Sequence, residues 1–206
     1  MFTTAIVSMV TAGAISLFCT VRKHAGENLD DLLDGRSEEL PPPILMSDAL
    51  SRNVPTRNVV IPANCNSHSR RHYVDEIANY LDECEYVLRM LGRVYKIDKV
   101  CRKKKLSSEE RLRVHQNESA PLMVELKEWL TKQLADKRVE PNSGMGKAIR
   151  YTLKHWEKLT LFLRKPGVPL DNNIAERVLK AAIRHRRNSL FYLSQRGAMV
   201  GDIYMS

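Results

Sequence analysis

The spacing of apolar and polar residues changes along the chain and predicts an N-terminal β-rich part. Residues 3–10 and 14–20 are runs of β-branched and other apolar residues that flank an Ala-Gly turn, which predicts a β-hairpin. A short helix is predicted at residues 24–36, ending at Gly35, and short apolar strands are predicted at 44–46 and 59–63. The expected order is strand, strand, helix, strand, strand.

From about residue 69 the apolar spacing becomes helical. Long stretches lack Gly and Pro, and one run of apolar residues alternates by four and three, as in a heptad seam. The residues of this predicted seam are Ile77, Leu81, Cys84, Leu88, Leu91 and Tyr95. The pattern predicts a helical hairpin whose second arm begins at a capping box, Ser107 with Glu110, and runs to about Ala135 with a break at Pro121.

Two more helices are predicted towards the C-terminus. One covers residues 145–164 and ends before Pro166, Gly167 and Pro169. The last begins in Asp171, Asn172 and Asn173 and continues to about His185, and residues 190–193 are predicted to be a strand or an apolar extension.

Composition describes an ordinary globular chain. The protein has 206 residues, 43% of them hydrophobic and 28% charged, which is enough for one sizeable core or two small ones. Its 4 cysteines are too few and too irregularly spaced for a disulfide framework, so a reducing, cytoplasmic compartment is expected.

The first 21 residues carry no charge, which leaves a second interpretation open. Such a segment can be a signal peptide or a membrane anchor, and the chain would then be a membrane-anchored helical protein. A signal peptide has basic residues ahead of its apolar stretch, whereas Arg22 and Lys23 follow it here. The hairpin fits the segment better, and no membrane partner is expected.

Charge is unevenly distributed. The chain carries 33 Lys and Arg against 24 Asp and Glu, so its net charge is 33 − 24 = +9. Residues 1–64 contribute −2 and residues 65–206 contribute +11. A basic excess confined to one part of a chain favours a polyanionic partner, although mildly basic solvated surfaces are about as common.

The last helix combines one carboxylate with several cations. At 100° per residue, Glu176 falls within an arc of about 100° that also holds Arg177, Lys180, Arg184 and Arg187. The other side is predicted to pack inward through Ile174, Val178, Ala181 and Ala182. The alternative is purely structural, with Asn173 and Glu176 as a capping box and Glu176 and Lys180 as an i,i+4 ion pair.

Two other positions could carry chemistry. Asp48 ends a short strand, where a carboxylate can reach a metal or substrate, although it can equally cap the next helix. Arg70 and Arg71 could hold phosphate or be ordinary exposed charges. Cys65, His68 and His72 form a single C-x-x-H pattern without a second ligand pair, which is a weak zinc signal.

Several motifs together resemble one family, the transposases of insertion sequence 66. They are RKHAGENL (22–29), ELPPPILMSDALSRN (39–53), ANCNSHSRR (63–71), LSSEERLRVHQNESAPL (106–122), GMGKAIRYTLKHW (144–156), LDNNIAERVLK (170–180) and RRNSLF (186–191). The D-N-N-x-x-E-R pattern is the most specific of these. Position 67 is Ser where the family more often has Ala.

The resemblance implies an Asp-Asp-Glu enzyme with an α/β, ribonuclease H-like core and a large all-helical insertion before the Glu-bearing helix. It implies domains at residues 1–68, 69–166 and 167–206. By resemblance, Asp48 is the second catalytic carboxylate and metal ligand, and Glu176 is the third. Two Mg²⁺ or Mn²⁺ ions about 4 Å apart would activate the nucleophile and neutralise the leaving oxygen during DNA cleavage and transfer.

The family's first Asp belongs on a strand upstream of the hairpin, and Asp30, Asp31 and Asp34 fall on a predicted helix instead. The sequence therefore predicts a transposase fragment that is inactive by itself. The expected partners are insertion-sequence ends, target DNA, and a second copy of the chain or a full-length transposase. The DNA contacts predicted for this chain are Arg70, Arg71, Arg177, Lys180, Arg184, Arg186 and Arg187. The alternative is a non-catalytic, basic DNA-binding or multimerising polypeptide.

Overall fold

A computed structural model describes residues 2–10, 13–189, 192 and 194–206. The chain forms two compact units, one of Met1–Pro62 with Asn172–Ser206 and one of Ala63–Asp171. The fold is α/β, with two small sheets and many helices. The strands are β1 (Phe2–Val10), β2 (Gly13–Val21), β3 (Ile44–Ser47) and β4 (Ile61–Asn64). The helices are α1 (Ala25–Leu33), α2 (Asn66–Asp75), α3 (Leu81–Lys103), α4 (Ser108–Val114), α5 (Ala120–Ala135), α6 (Gly144–Lys154), α7 (Trp156–Leu159), α8 (Asn173–Asn188) and α9 (Gln195–Met205).

The predicted hairpin is confirmed. Strands β1 and β2 pair antiparallel from Phe2 opposite Val21 to Val10 opposite Gly13. Helix α8 lies against β1 and α9 lies against β2. The turn residues Thr11 and Ala12 lie outside the described residues. Nowhere in the described ranges is a helix both long and apolar enough to cross a bilayer.

Polar contacts join the hairpin to the C-terminal helices. Asp202 of α9 accepts hydrogen bonds from the backbone N–H of Thr20 and from its hydroxyl, the latter at 2.7 Å. Arg186 of α8 donates to the Thr3 hydroxyl at 2.8 Å. Helix α9 itself was not predicted, and most of the apolar segment predicted at 190–193 lies outside the described residues.

The predicted helix at 24–36 and both short strands are confirmed with shifted ends. Helix α1 carries Asp30, which is buried and holds the loop at residues 56–58. Its carboxylate accepts backbone N–H bonds from Thr56, Arg57 and Asn58 at 2.8–3.0 Å. Strands β3 and β4 form the second sheet, beside which the Ile61 N–H donates to the Pro43 carbonyl at 2.9 Å.

The second unit is helical, and the predicted heptad-like seam is confirmed only in part, at the buried residues Cys84 and Leu91. Ile77 lies outside the helices and Leu81 is 60% exposed, so neither belongs to the core. The buried positions of α3 recur every three or four residues and are Cys84, Val87, Met90, Leu91, Val94, Asp98 and Cys101. The prediction missed Val87, Met90 and Val94, which are buried, and chose Leu88 and Tyr95, which are half-buried.

The second arm of the helical hairpin is confirmed, including its capping box. The Ser107 hydroxyl accepts from the Glu110 N–H at 3.2 Å, and the Glu110 carboxylate accepts from the Ser107 N–H at 2.8 Å. A π-helical turn, His115–Ser119, separates α4 from α5 immediately before Pro121. Proline has no N–H to donate and crowds the carbonyl four residues earlier, so the regular bonding ladder is interrupted at the predicted place.

The prediction of one continuous helix at 145–164 is wrong. This segment is divided into α6, α7 and a short 3₁₀ turn at Leu161–Leu163. The breaks fall at His155 and Thr160, both with φ −100°, away from helical values. The Thr160 hydroxyl donates to the Trp156 carbonyl at 2.8 Å, a local bond of the kind that competes with regular helix.

Candidate functional site

Asp48 lies where the sequence places it, directly after β3. Its Oδ1 accepts from the Leu50 N–H at 3.3 Å and from the side-chain amide of Asn53. The side chain is half-buried. These contacts fix the carboxylate at the end of the strand by tying it to the 3₁₀ turn at Ser51–Asn53.

Glu176 lies in the first turns of α8, but the predicted capping box is wrong. The N-cap is Asn172, and Asn173 is the first helical residue, so Glu176 occupies the fourth helical position. The helix start is stabilised through the backbone, because the Glu176 N–H donates to the Asn172 carbonyl at 3.1 Å. The half-buried Glu176 carboxylate is therefore not part of a Ser/Thr/Asn capping box.

The cations of α8 are mostly exposed. Arg177, Lys180, Arg184 and Arg187 all face solvent, and together they form the α8 basic stripe. Arg186 is half-buried and donates a hydrogen bond to the Thr3 hydroxyl. The stripe is available to a polyanion, whereas Arg186 holds the helix to the hairpin.

The opposite side of α8 packs less than predicted. Ala182 is buried and Val178 is half-buried, as expected for an inward face. Ile174 is 39% exposed and Ala181 is also exposed, so the prediction that they pack inward is wrong. Ala182 is the one fully buried residue of α8, while Leu179 and Ile183 are half-buried like Val178.

The two predicted carboxylates both lie in the first unit, one after β3 and one on α8. Across the residues that the structure describes, Asp48 belongs to no group of three or more acidic, His or Cys side chains close enough to share one ion. The hard carboxylate oxygens of Asp48 and Glu176 fit Mg²⁺ or Mn²⁺ in kind. Further ligands would be needed to complete a two-metal site.

The remaining predicted residues belong to α2 in the second unit. Arg70 and Arg71 are exposed. Cys65 precedes the helix and is buried, and its sulfur and a His68 ring nitrogen lie within 4.8 Å of each other. His72 contacts the Tyr151 ring, with a centroid distance of 4.5 Å. The exposed arginines can meet phosphate, while His72 has an aromatic packing role.

A hydrogen-bonded Ser, His and Asp set was missed by sequence reasoning. His115 Nε2 lies 3.2 Å from Asp98 Oδ1, and His115 Nδ1 lies 2.9 Å from the Ser119 hydroxyl. Arg102 and Arg111 also contact the Asp98 carboxylate, at 2.9 and 3.3 Å. Although burial opposes it, the His115 hydrogen bond and the two arginine charges lower the pKa of Asp98.

This arrangement is structural rather than catalytic. Ser119 is 0% exposed and His115 is 1% exposed, so no substrate can reach the hydroxyl. The set joins α3 to the π-helical turn through Asp98. The sequence signal was the isolated Asp98 within an otherwise apolar seam.

The family model for IS66 family transposases matches residues 5–200. The chain belongs to the IS66 transposase family. This match covers nearly all of both units, including Asp48 and the D-N-N-x-x-E-R motif that ends in Glu176 and Arg177. The family assignment gives the chain a transposase-related function.

Curated relatives come from Sinorhizobium fredii (strain NBRC 101917 / NGR234). Uncharacterized protein y4jD is 36% identical over 130 residues, covering 63% of this chain and 25% of the relative. Uncharacterized protein y4hP is 47% identical over 93 residues, covering 45% of this chain and 16% of the relative. The chain thus spans a quarter or less of these relatives. No solved structure matches it significantly.

Proposed function

We propose that the chain contributes two carboxylates, Asp48 and Glu176, to the divalent-metal site of a DNA strand-cleaving and strand-joining enzyme. The observation that carries this proposal is the family match, which includes both residues. In the same proposal, the first unit belongs to a ribonuclease H-like core and the helical second unit is the insertion. The order of elements, with strands first and α8 after the helices, supports this assignment.

The residues of this chain would hold and orient the metal ions. Mg²⁺ or Mn²⁺, when bound, would supply Lewis-acid stabilisation of the phosphate and a lowered pKa of bound water. Asp48 is oriented by Leu50 and Asn53, and α8 sets the position of Glu176. A carboxylate held in this way loses little side-chain freedom when it binds an ion.

DNA would meet the α8 basic stripe and Arg70 and Arg71. Their exposed side chains can contact phosphate oxygens without reading base sequence. Such contacts release counterions, so binding is expected to weaken steeply as salt increases. Arg186 would act mainly by holding α8 against Thr3.

The 206-residue polypeptide alone is expected not to cut DNA, because the family resemblance assigns it two of three catalytic carboxylates. The test is incubation with supercoiled plasmid in Mg²⁺ or Mn²⁺, followed by measurement of nicked product. No metal-dependent nicking is expected. Turnover that is abolished in Asp48→Asn would contradict the expectation and would show that another residue completes the site.

A non-catalytic DNA-binding or multimerising role is the second candidate. It is favoured by the net charge of +11 on residues 65–206 and by an exposed apolar surface on α9. That surface is formed by Met199, Val200, Ile203 and Tyr204, which are 45–87% exposed. Divalent-ion binding that depends on Asp48 and Glu176 favours the metal-site proposal, and its absence favours this alternative.

DNA binding is tested by anisotropy of a labelled duplex at several salt concentrations. The Arg184→Gln, Arg187→Gln double variant should lower the slope of log K against log salt by about 0.9 for each phosphate that α8 no longer neutralises. A control with the same charge change replaces Arg22 and Arg52, which are exposed elsewhere in the first unit. Equal slopes for all three proteins would show that the α8 basic stripe is only a solvated surface.

A further inference from the structure

Five cations on α3 are not used by the proposed function. At 100° per residue they fall within an arc of about 120° on one side of the helix. They are Arg89, Arg93, Lys96, Lys99 and Lys103, and all are exposed. Together they form the α3 cationic face.

From Arg89 to Lys103 this face carries no acidic side chain, whereas Asp82 and Glu85 fall on the same side in the earlier turns of α3. Asp98 is the one acidic residue in the sequence from 89 to 103, and it is buried on the opposite side. Its carboxylate is held by Arg102, Arg111 and His115. Within the described chain, Lys96, Lys99 and Lys103 make no ion pair, so their charges remain directed to solvent.

The helix dipole does not account for these charges. Cations are favourable in the last turn of a helix, where the exposed carbonyl groups are. Arg89, Arg93 and Lys96 lie at least one full turn before that end. A partner of opposite charge explains their common orientation better than stabilisation of α3 does.

A groove borders the α3 cationic face. It has a volume of about 590 Å³, and its lining includes Arg93, Lys96 and Lys104 above the apolar side chains of Ile97 and Val100. Glu118 is the acidic side chain in this lining. The groove therefore gives a curved, mainly positive surface beside the row of cations.

Gly92 gives an independent indication of close approach. It lies in the interior of α3 and is exposed, and a Cβ atom at this position would meet nothing within 4 Å. Glycine is a poor helix former, so neither packing nor helix stability favours it here. An exposed glycine between cations allows a ligand to come close to the helix backbone.

The dimensions match a nucleic-acid backbone. From Arg89 to Lys103 the helix rises about 21 Å at 1.5 Å per residue. This corresponds to about six base pairs at 3.4 Å each. Several phosphates on one strand can thus lie within reach of the long Arg and Lys side chains.

We infer that the α3 cationic face, with Gly92 beside it, binds the phosphate backbone of double-stranded DNA. The inference rests on the proposed function in taking DNA as the partner, and it adds a contact surface in the second unit. This surface is distinct in sequence from the α8 basic stripe and from Arg70 and Arg71. Sequence-independent contact is expected, because long cations facing phosphates carry no base information.

The test uses the full chain and a labelled mixed-sequence duplex. Arg93→Gln, Lys96→Gln and Lys103→Gln are combined, because Gln keeps helix propensity while removing charge. The slope of log K against log salt should fall by about 2.7 if each of the three cations neutralises one phosphate in the parent. The matched control combines Lys132→Gln, Lys147→Gln and Lys158→Gln, which are exposed on other helices of the same unit, and its slope should stay near the parent value.

Gly92→Ala provides a second test that does not depend on charge. It should raise the melting temperature by about 2 °C, because Ala is the better helix former at an open position. DNA affinity should nevertheless fall by about threefold or more, as the methyl group holds the phosphates away. A more stable protein with unchanged affinity would overturn the close approach at Gly92.

Three further outcomes separate the possibilities. An unchanged slope in the α3 triple variant, with a reduced slope in the α8 double variant, would overturn this inference and leave the proposed function standing. No DNA binding by the parent would overturn this inference and the DNA contacts proposed for the α8 basic stripe, and would leave the metal-site proposal to the Mn²⁺ test. Poly-glutamate binding that is lost in the α3 triple variant, with DNA binding unchanged in that variant, would also overturn the inference, because it would assign the face to an acidic protein partner.

Discussion

The two units are held together internally by different forces. In the second unit a set of fully buried apolar side chains, including Tyr73, Leu126 and Ile149, forms the core. Among the described residues of the first unit, the buried apolar side chains are Phe18, Pro55, Ala182, Tyr192 and Ala198. Hydrogen bonds to buried or half-buried carboxylates hold more of that unit together. Asp30 accepts such bonds from residues 56–58, and Asp202 accepts them from Thr20.

This difference relates stability to function. Apolar burial is non-directional and supplies most of the stability of a helical unit. Hydrogen-bonded carboxylates position the chain more specifically but depend on pH. The candidate ligands Asp48 and Glu176 lie in the polar unit, so their positions should respond to conditions that leave the helical unit folded.

The largest expected loss of stability comes from a substitution in the apolar core of the second unit. Leu126 is 0% exposed, and Leu126→Ala should lower the free energy of unfolding by about 3 kcal/mol, because it removes buried apolar packing and leaves a cavity. Val124 lies on the same helix and is 57% exposed, so Val124→Ala should cost less than about 0.5 kcal/mol. Urea unfolding followed by circular dichroism measures both, and equal decreases would contradict the assignment of the second unit's stability to its buried apolar core.

The next effect concerns Asp30 in the first unit. Burial opposes ionisation, but hydrogen bonds from Thr56, Asn58 and Arg57 lower the pKa of Asp30 to about 2. Because this is below the unfolded value of about 3.9, the ionised group stabilises the fold above about pH 4. That stabilisation is lost as the pH falls from about 4 through 2.

Asp30→Asn should therefore lower the melting temperature at pH 7 by about 4 °C or more. The difference in melting temperature between Asp30→Asn and the parent should become smaller as the pH falls towards 2. Asp136→Asn is the control, since that side chain is about half exposed. A gap that does not change with pH would show that the side-chain shape, and not the charge, organises residues 56–58.

Sequence patterns predicted much of the fold, and the predictions that were wrong have physical causes. The hairpin, the Ser107 capping box and the break before Pro121 depend on neighbouring residues, so local rules predicted them. The α3 seam was only partly predicted, because contacts with α2 and α5 decide which of its many apolar residues are buried, and local spacing does not show those contacts. The structural role of Arg186 depends on Thr3, at the other end of the chain, and no local pattern could show it.

A smaller effect is expected in thiol reactivity. Cys65, Cys84 and Cys101 of the second unit are buried, whereas Cys19 of the first unit is half-buried. Burial raises the pKa of Cys84 to about 11, which further reduces its thiolate fraction. A thiol reagent at pH 8, with mass-spectrometric mapping, should label Cys19 first, and early labelling of Cys84 would contradict a stable helical core.

The most direct test of the central claim is the response of the melting temperature to Mn²⁺. With Mn²⁺ at ten times its dissociation constant, the parent should melt about 4 °C higher. Asp48→Asn and Glu176→Gln should each lose most of this increase, while Asp136→Asn in the second unit should keep it. An equal increase in all four proteins would contradict the assignment of Asp48 and Glu176 as metal ligands.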